Sequence, residues 1–233
     1  FKALSETNEM WHAGPWAKEL IKECRRLYPY VWGDIDYEQY YNETYYPFVD
    51  TIDPLCRGTD PVTVSVGNRI NLCIDEISKL QTGSKIIDYG CAHGSVLLPL
   101  AKHFPQHQFV GVDFVKTNVD KLIYWAAENK LENVVAYTGS VDNWPEECPP
   151  ESFDYAICAE VLEHVSEPWT VIGKVETRVK KTGRVSITVP HGPWEALGLY
   201  KLSHYSSRNH VWHITKDMLR EMFADKNDCR MAY

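Results

Sequence analysis

The chain has 233 residues, 44% of them apolar and 24% charged. That is enough for one sizeable core, and it lies far from a disordered or fibrous composition. Lys and Arg number 24 against 32 Asp and Glu, a net charge of −8 with no basic run longer than two, which argues against a surface built to neutralise phosphates. Seven scattered cysteines, never in a Cys-x-x-Cys pair, argue against a disulfide framework and a zinc cluster. They point to a reducing compartment, the cytoplasm. No apolar run approaches the ~18 residues of a membrane helix, and no secretory leader is visible. A chain that opens on Phe1 and stops at Tyr233 reads as a module of a longer polypeptide.

Residues 1–66 form a first region, rich in Tyr and Trp. Helices are expected over Ala17–Leu27 and Tyr37–Tyr46, the second ended by Pro47. The aromatics serve either as core or as a lid that stacks on a ligand. Residues 67–233 form the second region. Val66–Leu80 reads as a helix closed by Gly83, after which strands and helices alternate. Strands are expected at Lys85–Asp88, Phe109–Asp113, Val134–Thr138, Phe153–Ala159 and Val185–Val189. Between them, a helix runs to His103, and Thr117 caps one carrying Val119, Leu122, Ile123 and Ala126. Ser166 and Pro168 open another bearing Val171, Ile172, Val175 and Val179, with Lys180, Lys181 and Gly183 at its end. Thr215 caps the last, with Met218, Leu219, Met222 and Phe223. Repeated β–α units of this length imply an α/β fold: a Rossmann-like, doubly wound, mostly parallel sheet with helices on both faces. The long connection Pro190–Ile214 is an insertion after strand five, suited to shaping an acceptor pocket.

Ligands of such sheets sit beyond the carboxyl ends of the strands, where strand order reverses. After strand one stands Asp88-Tyr89-Gly90-Cys91-Ala92-His93-Gly94, whose glycines permit a sharp turn and a close backbone approach. Asp113 ends strand two, 25 residues after Asp88, and a carboxylate there can accept from both hydroxyls of a ribose. Together they point to a nucleoside-containing cofactor. The Gly-x-x-x-Gly spacing disfavours a dinucleotide, which uses Gly-x-Gly-x-x-Gly.

The Asp-led turn resembles the first motif of the class I S-adenosylmethionine-dependent methyltransferases. Val110–Asp113, the segment Phe153–Val165 and Gly183–Pro190 are similar to later motifs of that family. The resemblance implies S-adenosylmethionine as cofactor and a methyltransferase activity. It places Asp88, Gly90, Cys91, Ala92, Gly94 and Glu160 around the cofactor, Asp113 at the ribose, Phe114 beside the adenine, and Ser140 and Val141 at its edge. The middle glycine of the family's first motif is Ala92 here, whose methyl group fits where φ is negative.

A hydroxyl acceptor calls for a general base, and His164 and His191 follow strands four and five. The reading is O-methylation of a small molecule or glycan, with no metal, no membrane and no nucleic acid as partner. Two alternatives stand beside it. One is a metal-dependent RNA 2′-O-methyltransferase, because Glu160, Glu163, His164 and His210 resemble the metal ligands of that group. The other is a non-catalytic cofactor-binding scaffold.

Overall fold

The computed structural model describes residues 61–190, 212 and 214–224. The two helices expected before residue 50, most of the connection Pro190–Ile214, and His191 and His210 lie outside the described residues. Those that are described divide into two units. Residues 61–162 and 170–188 carry the sheet; residues 163–169, 189–190, 212 and 214–224 belong to the second unit.

The elements follow in the order α1 (Pro61–Ile77), β1 (Lys85–Tyr89), α2 (Leu97–His103), β2 (Gln108–Asp113), α3 (Lys116–Glu128), β3 (Val134–Thr138), β4 (Phe153–Ala159), a 3₁₀ turn (Leu162–His164), α4 (Pro168–Glu176), β5 (Val179–Thr188) and α5 (Lys216–Met222). The five strands are all parallel, in the order β3-β2-β1-β4-β5. Strand order reverses between β1 and β4, so the site expected there is flanked by the ends of the two innermost strands. Consecutive residues of β1, Ile86 and Ile87, are both fully buried, which requires cover on both faces of the sheet. The outer strands β3 and β5 are more exposed. One core cluster gathers Ile70, Cys73 and Ile77 of α1, Leu97, Leu98 and Leu100 of α2, and Val119 and Leu122 of α3 around Ile86, Phe109, Tyr155 and Ile157. No helix among the described residues is long and apolar enough to cross a membrane.

Two local expectations are corrected. Helix α4 ends at Glu176, and Val179, Lys180, Lys181 and Gly183 belong to β5. Val179 stands four residues after Val175 and so mimics helical spacing, but it pairs with Phe153. Residues 180–183 then stand opposite Asp154, between the Phe153–Val179 and Tyr155–Arg184 pairs, and Lys180 Nζ reaches Asp154 Oδ1 at 2.7 Å. Thr117 is likewise not the cap of α3. That position is Val115, which offers no side-chain bond; Asp113, two residues earlier, accepts the Val115 N–H instead. Thr215 does cap α5, accepting from Met218 N at 3.3 Å.

Asn133, just before β3, closes the α2–β2 connection from outside it. Its Nδ2 donates to the carbonyls of Ala101, Phe104 and His107 at 3.0, 3.3 and 3.1 Å. Asn133→Ala strips these carbonyls of a shared donor and should cost about 1–3 kcal/mol. Thermal unfolding should therefore fall by about 3–10 °C, with cofactor affinity nearly unchanged.

Candidate functional site

The turn after β1 is shaped by backbone bonds to the neighbouring strand. The N–H groups of Gly90 and Cys91 both donate to Val112 O, at 2.7 and 3.2 Å, and Gly94 N–H returns to Cys91 O at 2.9 Å. Gly90 has φ +72, and a Cβ there would lie 2.4 Å from Val161 Cγ2. Only glycine satisfies both constraints. Gly111 in β2 leaves space for the turn, since a Cβ on it would meet Cys91 Sγ at 2.8 Å.

Ala92 differs from the sequence expectation. Its φ is +46, in the left-handed region that costs an alanine roughly 1–2 kcal/mol. The conformation is held by a bond from Ala92 N–H to Asp113 Oδ2 at 2.9 Å. The bond explains the left-handed conformation but not the alanine, since glycine would offer the same N–H with less strain.

Asp113 itself is buried. Besides Ala92, it accepts from Val115 N at 2.9 Å and Asn118 Nδ2 at 3.1 Å, both on Oδ1. Burial pushes its pKa upward, opposed by these three donors. Asp88 is also buried, and its pKa is pushed up to about 8, first by burial, then by Asp113, with Arg69 pulling the other way. The three donors favour the charged form of Asp113 against its burial, whereas Asp88 holds its proton at neutral pH.

Beyond β4 lies Glu160, with φ +57 and its N–H on Thr188 O at 2.9 Å. Its carboxylate accepts from Thr188 Oγ1 at 3.0 Å and faces Arg69 Nη2 at 3.6 Å. The loop after β3 is anchored to β1, because Val141 N–H donates to the Tyr89 hydroxyl at 3.2 Å. Tyr89 also packs against Trp144 in a tilted contact with centroids 5.3 Å apart, and the Arg178 guanidinium lies 4.9 Å from the Trp144 ring centroid. Ser140 Oγ is engaged locally, accepting from the N–H groups of Asp142 and Asn143. Phe114 follows Asp113 with 45% of its surface exposed.

The sheet unit thus brings Asp88, the Gly90–Gly94 turn, Asp113 and Glu160 to the carboxyl ends of β1, β2 and β4. Ser140 and Val141 follow β3. His164 is in the second unit, where its Nε2 lies 3.8 Å from Oε1 of the buried Glu163. In that unit Trp212 N–H donates to Glu163 O at 3.2 Å and Trp212 Nε1 to Val165 O at 2.9 Å. Among the described residues no cluster of three or more His, Cys, Asp or Glu is placed to hold a metal. Sequence reasoning missed Arg69 and Asn118. Arg69 carried one signal: it is the single basic residue of α1.

A sequence profile described as a methyltransferase domain matches residues 80–228. A ubiquinone biosynthesis O-methyltransferase of Aliivibrio fischeri is 33% identical over 119 residues, 50% of this chain and 48% of the relative. That of Bartonella tribocorum is 31% identical over 49% and 44%. The chain spans about half the length of these curated relatives. Magnesium protoporphyrin IX methyltransferase from Synechocystis, solved with bound S-adenosylhomocysteine, superposes with a TM-score of 0.60 at 17% identity, over 81% of this chain and 86% of that one. An S-adenosylmethionine-dependent methyltransferase from Aquifex aeolicus gives a TM-score of 0.55 at 15% identity, over 72% and 83%. The chain therefore belongs to the methyltransferase family, with its Rossmann-like fold and with S-adenosylmethionine as cofactor.

Two expected outcomes follow from this geometry. Ala92→Gly relieves the left-handed strain but adds chain entropy, so unfolding should shift by no more than about 3 °C and S-adenosylhomocysteine affinity by less than about threefold. Asp88 binds a proton in the folded state up to about pH 8, whereas in the unfolded chain it ionises near its ordinary value. Its contribution to stability therefore falls as pH rises between those limits. Asp88→Asn removes that slope, so the variant should gain on wild type from pH 5 to pH 8, by on the order of 5 °C in unfolding temperature.

Proposed function

We propose that this methyltransferase-family chain moves the methyl group of S-adenosylmethionine to an oxygen of a small molecule. The observation that carries the reading is the joining of the Gly90–Gly94 turn to Asp113 through the Ala92 bond, at the point where strand order reverses. The donor set suits the cofactor. Asp113 is a buried acceptor for the ribose, and Phe114 offers an exposed aromatic face for the adenine, with Ser140 and Val141 at its edge. Arg69 and Glu160 present one cation and one anion, the complement of an amino-acid carboxylate and ammonium. The sulfonium supplies an already activated methyl, so the protein's part is to hold, orient and keep out water.

Oxygen as target is supported by the names of the curated relatives. A hydroxyl acceptor must lose a proton. His164 is proposed to take it on Nδ1, with Glu163, 3.8 Å from Nε2, holding the imidazolium that results. His191, outside the described residues, is the other candidate base. The acceptor class is a small hydroxylated ring or a sugar, and the setting is the cytoplasm, consistent with four free thiols among the described residues.

The test has two arms. Calorimetry with S-adenosylhomocysteine should show binding that Asp113→Ala weakens by more than about tenfold. Methyl transfer to a panel of catechols, phenols and sugars should then be followed with and without EDTA. Turnover that survives EDTA and falls at least about a hundredfold in His164→Ala, with affinity kept, supports the reading. Binding without transfer to any acceptor would make the chain a scaffold, and loss with EDTA would give it a metal.

A further inference from the structure

The chain leaves β4 through the 3₁₀ turn Leu162–His164. A turn this short has few bonds of its own, and those have the poorer geometry of the 3₁₀ form. Leu162 and Glu163 are buried, while the His164 side chain keeps 18% of its surface. Of the three side chains, the imidazole is the one with an outlet.

Two donors from outside the turn fix it, and both belong to Trp212. The main-chain N–H of Trp212 donates to Glu163 O at 3.2 Å. Its indole Nε1–H donates to Val165 O at 2.9 Å, across 47 residues of sequence. A tryptophan has two N–H groups, one on the main chain and one on the ring, and both end here on the carbonyls that bracket His164. Trp212 is buried and meets Trp169 edge to face, with centroids 5.7 Å apart and planes at 73°, a favoured aromatic geometry that sets the angle of the ring. Burial alone would be served by a phenylalanine, which cannot make the bond to Val165. The same clamp governs the imidazole's neighbour. Nε2 of His164 lies 3.8 Å from Oε1 of Glu163, and the main chain from which both side chains spring is the segment that Trp212 holds. With Nε2 toward a carboxylate, Nδ1 is the nitrogen left to accept a proton.

We infer that Trp212 is a positioning residue for the base: its two N–H groups clamp the carbonyls on either side of His164 and hold the imidazole with Nε2 toward Glu163 and Nδ1 kept for the acceptor's proton. The inference rests on His164 being the base of the proposed reaction. Misplacing a reacting group by about 1 Å costs on the order of a hundredfold in rate. Loss of the clamp therefore shows in turnover and not in cofactor binding, because the Gly90–Gly94 turn and Asp113 lie in the other unit.

The experiment compares wild type with Trp212→Phe, which keeps the main-chain N–H and the aromatic packing and loses Nε1–H alone. Nitrogen-15 NMR of the histidine rings needs no acceptor, and His164 is assigned from its absence in His164→Ala. Wild type should show one sharp His164 ring with its proton on Nε2. In Trp212→Phe those signals should broaden or move toward those of a mobile imidazole. On whichever catechol, phenol or sugar is methylated, kcat should fall about ten- to a hundredfold, with KM and S-adenosylhomocysteine affinity within about threefold. In a His164→Ala background the same substitution should cost less than about twofold, because the group it positions is gone. Asn133→Ala, destabilised outside the turn, should keep wild-type turnover. Where no acceptor is methylated, the ring signals decide alone. An unchanged His164 ring in folded Trp212→Phe overturns the inference, as does a loss of rate that adds in full to that of His164→Ala. If Trp212→Phe does not fold, hydrogen exchange in wild type decides: slow exchange of both Trp212 N–H groups supports the clamp, and rapid exchange of the indole N–H overturns it. Full activity in His164→Ala removes the base itself. A loss there, with Trp212→Phe silent in ring signals and rate, removes only the role of Trp212.

Discussion

One buried carboxylate organises the carboxyl edge of this sheet. Asp113 ends β2, yet its three donors come from the turn after β1, from its own strand exit and from the first turn of α3. A buried charge without partners would cost several kcal/mol, and the chain is arranged so that this one never lacks them. Ala92 bears a left-handed backbone to supply one N–H. Helix α3 begins without a capping side chain; Asp113 instead ties down the Val115 N–H just before it and the Asn118 side chain in its first turn. The start of α3 and the shape of the turn after β1 are thus set by one side chain, and a change at Asp113 disturbs both.

Charge at these strand ends is sparing. Asp88 and Asp113 interact closely enough that burial and repulsion keep the first neutral at pH 7, so the two carboxyls do not both carry charge. The second charge at the edge, Glu160, is matched by Arg69 from α1. That ion pair is partly exposed and contributes little to stability; its use is orientation. A chain with a net charge of −8 nonetheless keeps its strand ends near neutrality, which suits a ligand carrying both signs of charge better than a polyanion.

Periodicity and turn residues made the sheet legible. The runs Val134–Thr138 and Phe153–Ala159 are strands over the expected residues, because apolar β-branched and aromatic side chains there are bounded by turns and paired on both or one side. What misled was spacing without context. Val179 fits a helical stripe and yet pairs with Phe153, since Thr177 turns the chain with its Oγ1 on Lys174 O. At the site, residue type and order revealed Asp88, the glycine turn and Asp113, but not how many of the carboxylate's lone pairs the protein itself consumes. Arg69 precedes Asp88 by most of a helix and a loop, a separation that no local motif spans. The sign of φ at Ala92 was equally invisible, because it is dictated by a bond to a residue on another strand.

The same accounting limits what the strand ends can do in catalysis. A general base must be free to take a proton. Asp113 already accepts three bonds from the protein, Glu160 is bound to Thr188 and Arg69, Ser140 Oγ is engaged in its own turn, and burial pushes the Asp88 carboxyl up to about 8. Protonating Asp113 or Glu160 would weaken bonds that shape the site. On the proposed reading their contribution is geometric: holding a cofactor so that an acceptor can approach in line is worth roughly 7–11 kcal/mol of barrier. General-base help, where the acceptor needs it, would add ~10²–10⁴-fold, and the imidazoles proposed for it, His164 and His191, follow β4 and β5 in the chain.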